Sequence, residues 1–264
     1  YFFQIVAVLI SGFSSYIFFY IISKNLKNKD YNQYFFLSLF FLIFTLIFFY
    51  RIAEHGTDRS AQILTCVLII ELLLLINKKS FEEKFSIILV LLGVIISLKT
   101  FYLLYLIFFI PITGLLLKEK KILIANIIFK NLFLYLFSML VFLIFIVNFL
   151  NSGCFVYPIS FTCLDFSWSI PKTEVIVMND WYEQWSKAGA GPNFRVDNPE
   201  QYIQKFNWVD NWFNEYFFTK VSDFILGTVF VIIIFISLFR SKNRRNNSFN
   251  GLGFIYILIL FLFL

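Results

Sequence analysis

Between residues 51 and 60 the chain reads RIAEHGTDRS, which crowds Arg51, Glu54, His55, Asp58 and Arg59 together and includes its one histidine. Carboxylates flanked by arginines can serve as a general base or a metal ligand, while the cations hold a phosphate. Glu54, His55 and Asp58 are therefore candidate catalytic residues, and Arg51 and Arg59 candidate phosphate-binding residues. Gly56 lets the backbone turn between the two halves. Glu54 and Asp58, four apart, share a face if that turn is helical. The competing reading is a solvated loop whose opposite charges pair among themselves. No HExxH, CxxC, P-loop or GxSxG pattern occurs, so metalloprotease, Walker-type and hydrolase-elbow chemistry have no support and no metal ligands are assigned.

Three further charged residues stand apart. Arg195 follows GAGPNF, a glycine-rich loop close to a helix start, where a lone arginine could grip a phosphate or carboxylate. Glu71 lies inside an apolar run, IIELLLLI. A carboxylate at that depth in a membrane helix faces the bundle interior and calls for a partner. Lys99, at the end of another apolar run, is the candidate for that partner.

The elements that carry these residues follow from composition. Of 264 residues, 60% are hydrophobic and 14% charged, and mean hydropathy is +0.81. Soluble domains carry about a quarter charged residues, so the chain reads as a membrane protein. A crossing helix needs about 20 apolar residues. Residues 1–23, 34–50, 61–77, 101–117, 131–150 and 224–239 approach or meet that length, while 85–98 is short and the run from 253 reaches the end of the sequence. Both ends lie inside apolar runs, which reads as an internal fragment of a longer protein.

Charge decides the short run, because Lys and Arg collect on the cytoplasmic side. Counting 85–98 as a crossing puts Lys24, Lys27 and Lys29, then Lys78, Lys79 and Lys84, then Lys118, Lys120, Lys121 and Lys130, then Arg240, Lys242, Arg244 and Arg245 on one side. The expected fold is thus an all-α polytopic transmembrane bundle of about eight spans. It divides into residues 1–150 (spans 1 to 6), 151–223 (a small, mainly helical extracytoplasmic insertion) and 224–264 (spans 7 and 8). Residue 1 and the insertion lie outside. The net charge of +6 then reports orientation, and no nucleic-acid partner is implied. Pro111 is expected to kink the fifth span.

Within the insertion, Cys154 and Cys163 in SGCFVYPISFTC can form a disulfide in an oxidising compartment, worth roughly 2.5–3 kcal/mol by chain entropy. Two free thiols are the alternative. Cys66, in an apolar run, reads as packing. Two helices are expected, one opening at Pro171 as N1 and one from Asp197 through Tyr216, the second with Tyr202, Phe206, Val209, Phe213 and Tyr216 on a buried face. Trp181, Trp185, Trp208 and Trp212 suit interfacial anchoring or stacking on sugar rings.

Many spans, a charged loop near the outer face and a large outward insertion resemble the GT-C class of membrane glycosyltransferases. The strings EHGTDRSAQIL and SGCFVYPISFTC look like a family of uncharacterised bacterial multi-pass membrane proteins placed near that class. The GT-C resemblance implies sugar transfer from a polyprenyl-phosphate-linked donor to a lipid or glycan acceptor, at the outer face of the bacterial cytoplasmic membrane, for cell-envelope glycan assembly. It implies the bilayer and a lipid-linked glycan as partners, with an acidic residue orienting the acceptor hydroxyl and cations stabilising the leaving phosphate. In that class the principal acidic site lies in the first outward loop, which here would precede Tyr1, so Glu54, His55, Asp58 and Arg59 are contributors from a later loop. No cofactor is evident, and the sequence leaves a divalent metal and the oligomeric state open. A transporter or flippase of lipid-linked glycans, with Glu71, Arg59 and Lys99 along its path, is the alternative from another class, and a non-enzymatic membrane subunit a third.

Overall fold

In a computed structural model, the structure describes residues 2–47, 57–76, 81–109, 130–191 and 194–218, with single positions at 221, 225, 228, 229 and 232. The chain divides into two compact units, residues 1–141 with 230–264, and residues 142–229.

The first unit is built on helices α1 (Phe2–Lys27), α2 (Gln33–Ile47), α3 (Asp58–Ile76) and α4 (Phe81–Leu98), followed by a 3-10 helix, Thr100–Phe108. The turn between α1 and α2 is pinned by Asn32, whose side chain accepts from the Tyr34 and Phe35 amides and donates to Asn25 and Asp30. Helix α3 is apolar around nearly its whole circumference, and such a helix belongs in an interior. Its residues from Ser60 to Leu75 are buried apart from Gln62, Glu71 and Leu74. Phe18 of α1, Leu37, Phe41 and Phe44 of α2, and Ile63, Cys66, Val67, Ile70 and Leu73 of α3 form one core. Cys66 is a free, buried thiol, as packing predicts. The Tyr34 hydroxyl, at the start of α2, donates to the Leu73 carbonyl near the end of α3, so the two helices run antiparallel. Helix α4 buries Phe85, Ile88, Leu89, Leu92, Ile95 and Ile96, a three-and-four spacing that lays one stripe on its neighbours.

The 3-10 helix also has its reason in the side chains. Three residues per turn align positions i and i+3. Tyr102, Tyr105 and Phe108 thereby form a buried ladder, with ring centroids 5.0 and 5.3 Å apart.

The expectation of about eight spans is overturned: among the described residues, two helices are long and apolar enough to cross a membrane, α1 and α5 (Leu132–Ser152). Helix α2 has 15 residues, about 22 Å against a hydrocarbon core of about 30 Å. Helix α3 carries Asp58, Arg59 and Glu71, and α4 opens with Phe-Glu-Glu-Lys. The described part of the expected span 101–117 is the nine-residue 3-10 helix, about 18 Å of rise. Hydropathy alone registered each run, but not its helix length or its paired charges. Pro111, the connection 118–130 except Lys130, and nearly all of the runs from 224 lie outside the described residues.

Helix α5 has 21 residues, and only Phe137 and Ser152 among its side chains are buried. Its second half, from Phe142, belongs to the second unit. Cys154 and Cys163 form a disulfide, S–S 2.06 Å, and pair as an antiparallel bridge. Gly153 adopts φ +79° there, and a Cβ on it would stand 2.3 Å from Ser169 Cβ. Helix α6 (Lys172–Ser186) follows, with Pro171 at its N-cap, one position before the expected N1. Then come a two-residue hairpin, β1 (Ala190–Gly191) with β2 (Phe194–Arg195), and the short helices α7 (Pro199–Ile203) and α8 (Val209–Trp212), leading into a π-turn, Phe213–Phe217.

The single helix expected from Asp197 to Tyr216 is thus broken in two, and Phe206 is 81% exposed rather than on a buried face. Side chains take the carbonyls that would have continued the helix. Asn207 Nδ2 donates to Gln201 O at 2.8 Å, Lys187 Nζ to Ile203 O at 2.7 Å and Trp208 Nε1 to Lys205 O at 3.0 Å. Such local competition with the helical ladder ends helices, and Lys205 at φ 51° makes the turn.

Candidate functional site

The best-formed charged cluster lies at the start of α3. Ala61 N donates to Thr57 O at 3.1 Å, closing the first turn, and Asp58 in that turn faces the positive end of the helix dipole. Lys99, extended between α4 and the 3-10 helix (φ −161°, ψ 131°), places its ammonium on both Asp58 oxygens, at 2.8 and 3.0 Å. Tyr102 N bonds to Lys99 O at 3.0 Å, and its hydroxyl donates to Asp58 O at 3.4 Å. Burial pushes the Tyr102 phenol well above its usual range, with Tyr105 and Asp58 adding and Arg59 opposing, so it stays a neutral donor. Arg59 Nη1 donates to Gln62 Oε1 at 3.1 Å. The Asp58 and Lys99 side chains are 39% and 50% exposed, so this cluster is open to a ligand.

Glu71 does not pair with Lys99. Its Oε2 meets Lys84 Nζ, in the first turn of α4, at 2.8 Å, and both side chains are mostly buried, at 12% and 18% exposure. The approach is an ion pair by distance, but Glu71 Oε2 makes no directed hydrogen bond among the described residues. The expected partnership failed on depth, because Lys99 lies level with the first turn of α3 and Glu71 lies 13 residues further along it. Antiparallel packing of α3 and α4 puts Lys84 near Glu71 and sends Lys99 to Asp58. The two ion pairs stand 13 residues apart on α3, about 20 Å along its axis. Glu71 and Lys99 therefore belong to separate pairs rather than to one polar path.

Between α1, α3 and α4 lies an apolar groove of about 260 Å³, lined by Val6, Leu9, Phe13 and Ser14 of α1, Leu64 and Val67 of α3, and Leu91 of α4. Leu64 follows Asp58 by six residues and Leu91 precedes Lys99 by eight. By helical rise the groove opens about 9–12 Å from the charged cluster.

In the second unit Arg195 is exposed on β2, opposite Ala190, with no side-chain partner among the described residues. Sequence reasoning missed the polar network beside it. Tyr202 OH donates to Lys187 O at 2.6 Å and accepts from Asn211 Nδ2 at 3.0 Å, and Asn211 also donates to Ala188 O at 2.9 Å. Lys187 pairs with Glu183 and stands over the Trp208 ring at 6.0 Å. The signal was in AGAG: Ala188 at φ 61° and Gly189, against which the Tyr202 ring packs, shape a loop for these side chains. Burial pushes the Tyr157 phenol up, with Tyr182 and Glu174 adding.

Arg51, Glu54 and His55 lie outside the described residues. Among the described residues no three His, Cys, Asp or Glu side chains gather as metal ligands. No curated protein and no solved structure matches the chain. The family described as "Domain of unknown function (DUF8201)" matches residues 2–264, and the chain belongs to that family.

Proposed function

We propose that the chain is a membrane-anchored enzyme that transfers a sugar from a polyprenyl-phosphate carrier at the outer membrane face, in the manner of GT-C glycosyltransferases. The observation that carries this reading is the proximity of two features: the Asp58, Arg59 and Lys99 cluster stands at one end of α3 and α4, and the apolar groove opens about 9–12 Å further along the same two helices. A lipid phosphate presents both partners at once, an anionic head for the cations and a hydrocarbon chain for the groove.

In this reading Arg59 and Lys99 hold the carrier phosphate. Lys99 then shares its three N–H donors between phosphate and Asp58, which frees a carboxylate oxygen to accept the proton of the attacking acceptor hydroxyl. Tyr102 positions the α3 turn through the Asp58 carbonyl. Arg51, Glu54 and His55, just before Thr57 in the chain, add to the same segment. In this reading Lys24 and Lys27 at the end of α1 and Lys130 before α5 face the cytoplasm, and the Cys154–Cys163 disulfide suits an oxidising compartment.

The test is genetic. Asp58→Asn and Arg59→Ala, at unchanged protein level, each impair assembly of a surface glycan in cells that carry the protein. Normal glycan in both variants would sink the assignment.

A further inference from the structure

The loop closed by the disulfide contradicts ordinary surface chemistry. Residues 153–168, GCFVYPISFTCLDFSW, contain one charge, Asp165. Six large apolar side chains are nevertheless turned outward: Phe155 (45%), Ile159 (38%), Phe161 (84%), Leu164 (47%), Phe166 (47%) and Trp168 (51%). The loop does not present them for want of structure. Besides the disulfide, Phe155 N bonds to Thr162 O at 3.2 Å, Leu164 N to Gly153 O at 3.0 Å and Val156 N to Thr162 Oγ1 at 3.1 Å. Its interior is already filled by Cys154, Cys163 and Val175. The backbone thus holds the apolar side chains out, and a contiguous exposed apolar patch of this kind marks an interaction surface.

Continuity identifies what covers it. Phe149, in the last turns of α5, stacks on Phe155 at 5.0 Å and meets Phe166 and Trp168 edge-on at 5.7 and 5.6 Å. Val147 and Leu150 on the same helix are 53% and 64% exposed. The patch therefore prolongs the apolar surface of a helix long enough to cross a bilayer. Rings of this mixed character, with the Trp168 indole beside phenylalanines, concentrate at the boundary between headgroups and acyl chains.

We infer that the loop closed by Cys154 and Cys163 is a rigid wedge seated in the outer membrane interface, with Phe161 as its deepest side chain and the lipid of that leaflet as its partner. The wedge fixes the height at which α5 emerges and the depth of the helices that follow it. It stands apart from the sugar-transfer reading, since it uses none of the residues of the α3 cluster.

The experiment places a single tryptophan at 168, with Trp181, Trp185, Trp208 and Trp212 changed to Phe, in full-length protein reconstituted into phosphatidylcholine vesicles. A parallel variant without Trp168 carries Val147→Trp as the reference within α5, and another carries Phe161→Trp. Lipids brominated near the headgroup should quench Trp168 about twofold or more over lipids brominated near the chain end, and Phe161→Trp should be quenched by both. Aqueous iodide quenching of Trp168 at the level of free tryptophan, with Val147→Trp still quenched by lipid, overturns the inference. Protection from both quenchers marks a surface covered by protein and overturns it as well.

Discussion

Lys99 holds both carboxylate oxygens of Asp58, at 2.8 and 3.0 Å, across 41 residues of sequence. The bond joins the first turn of the most enclosed helix to the break between α4 and the 3-10 helix. Both side chains are well exposed, so it adds little to stability and much to the placement of charge. In a double-mutant cycle of Asp58→Asn and Lys99→Gln, chemical denaturation in detergent should give single costs below about 1 kcal/mol and a coupling of about 0.5 kcal/mol. A coupling of several kcal/mol would mean the pair is structural.

The Glu71 and Lys84 pair should behave oppositely. It is mostly buried, so Lys84→Met strands a carboxylate and should cost about 3 kcal/mol, whereas Glu71→Leu with Lys84→Met together should return most of that loss. Equal stability of the single and double variants would show that Glu71 finds another partner.

These two pairs also show what the sequence could and could not say. Apolar runs located α1 and α5. Lys99 was legible as the end of a helix. Its partner was misjudged on depth: successive crossings already imply antiparallel helices, and in that packing Lys99 is level with Asp58 while Glu71 lies 13 residues further along α3. The expected eight crossings failed because α2 and the 3-10 helix are apolar but short, and α3 and α4 carry charges, of which Glu71 and Lys84 pair inside the fold. The Cys154–Cys163 bridge was legible as one of two alternatives, and the structure forms it. The helix from Asp197 was misjudged because periodicity is blind to Lys187, Asn207 and Trp208 capturing its carbonyls.

Gly189 should tolerate no side chain while Tyr202 is present. A Cβ there would stand 2.3 Å from Tyr202 Cε1, so Gly189→Ala should destabilise the 142–229 unit by about 1–3 kcal/mol. Adding Tyr202→Ala should make the Gly189→Ala step nearly neutral, although Tyr202→Ala alone loses the bonds to Lys187 and Asn211. Limited proteolysis between α6 and α7 reads both effects; additive losses would contradict the packing described.

Removal of the disulfide by Cys154→Ser with Cys163→Ser should cost about 2–3 kcal/mol, confined to the second unit. Hydrogen exchange is the measurement: amides of Phe155, Cys163 and Leu164 should lose protection while those of α3 keep it. Loss of protection in α3 would show that the units do not hold their stability separately.

In the proposed function the α3 cluster and the neighbouring groove together receive a lipid phosphate. Binding of a radiolabelled polyprenyl phosphate to the full-length protein in vesicles tests it most directly. Binding should be saturable, weaken about tenfold or more in Arg59→Ala, by loss of a charge-assisted bond, and fall also in Val67→Trp, which fills the groove. A wild-type protein that fails to bind the lipid phosphate, or both variants binding it as the wild type does, would rule out a lipid-phosphate site there.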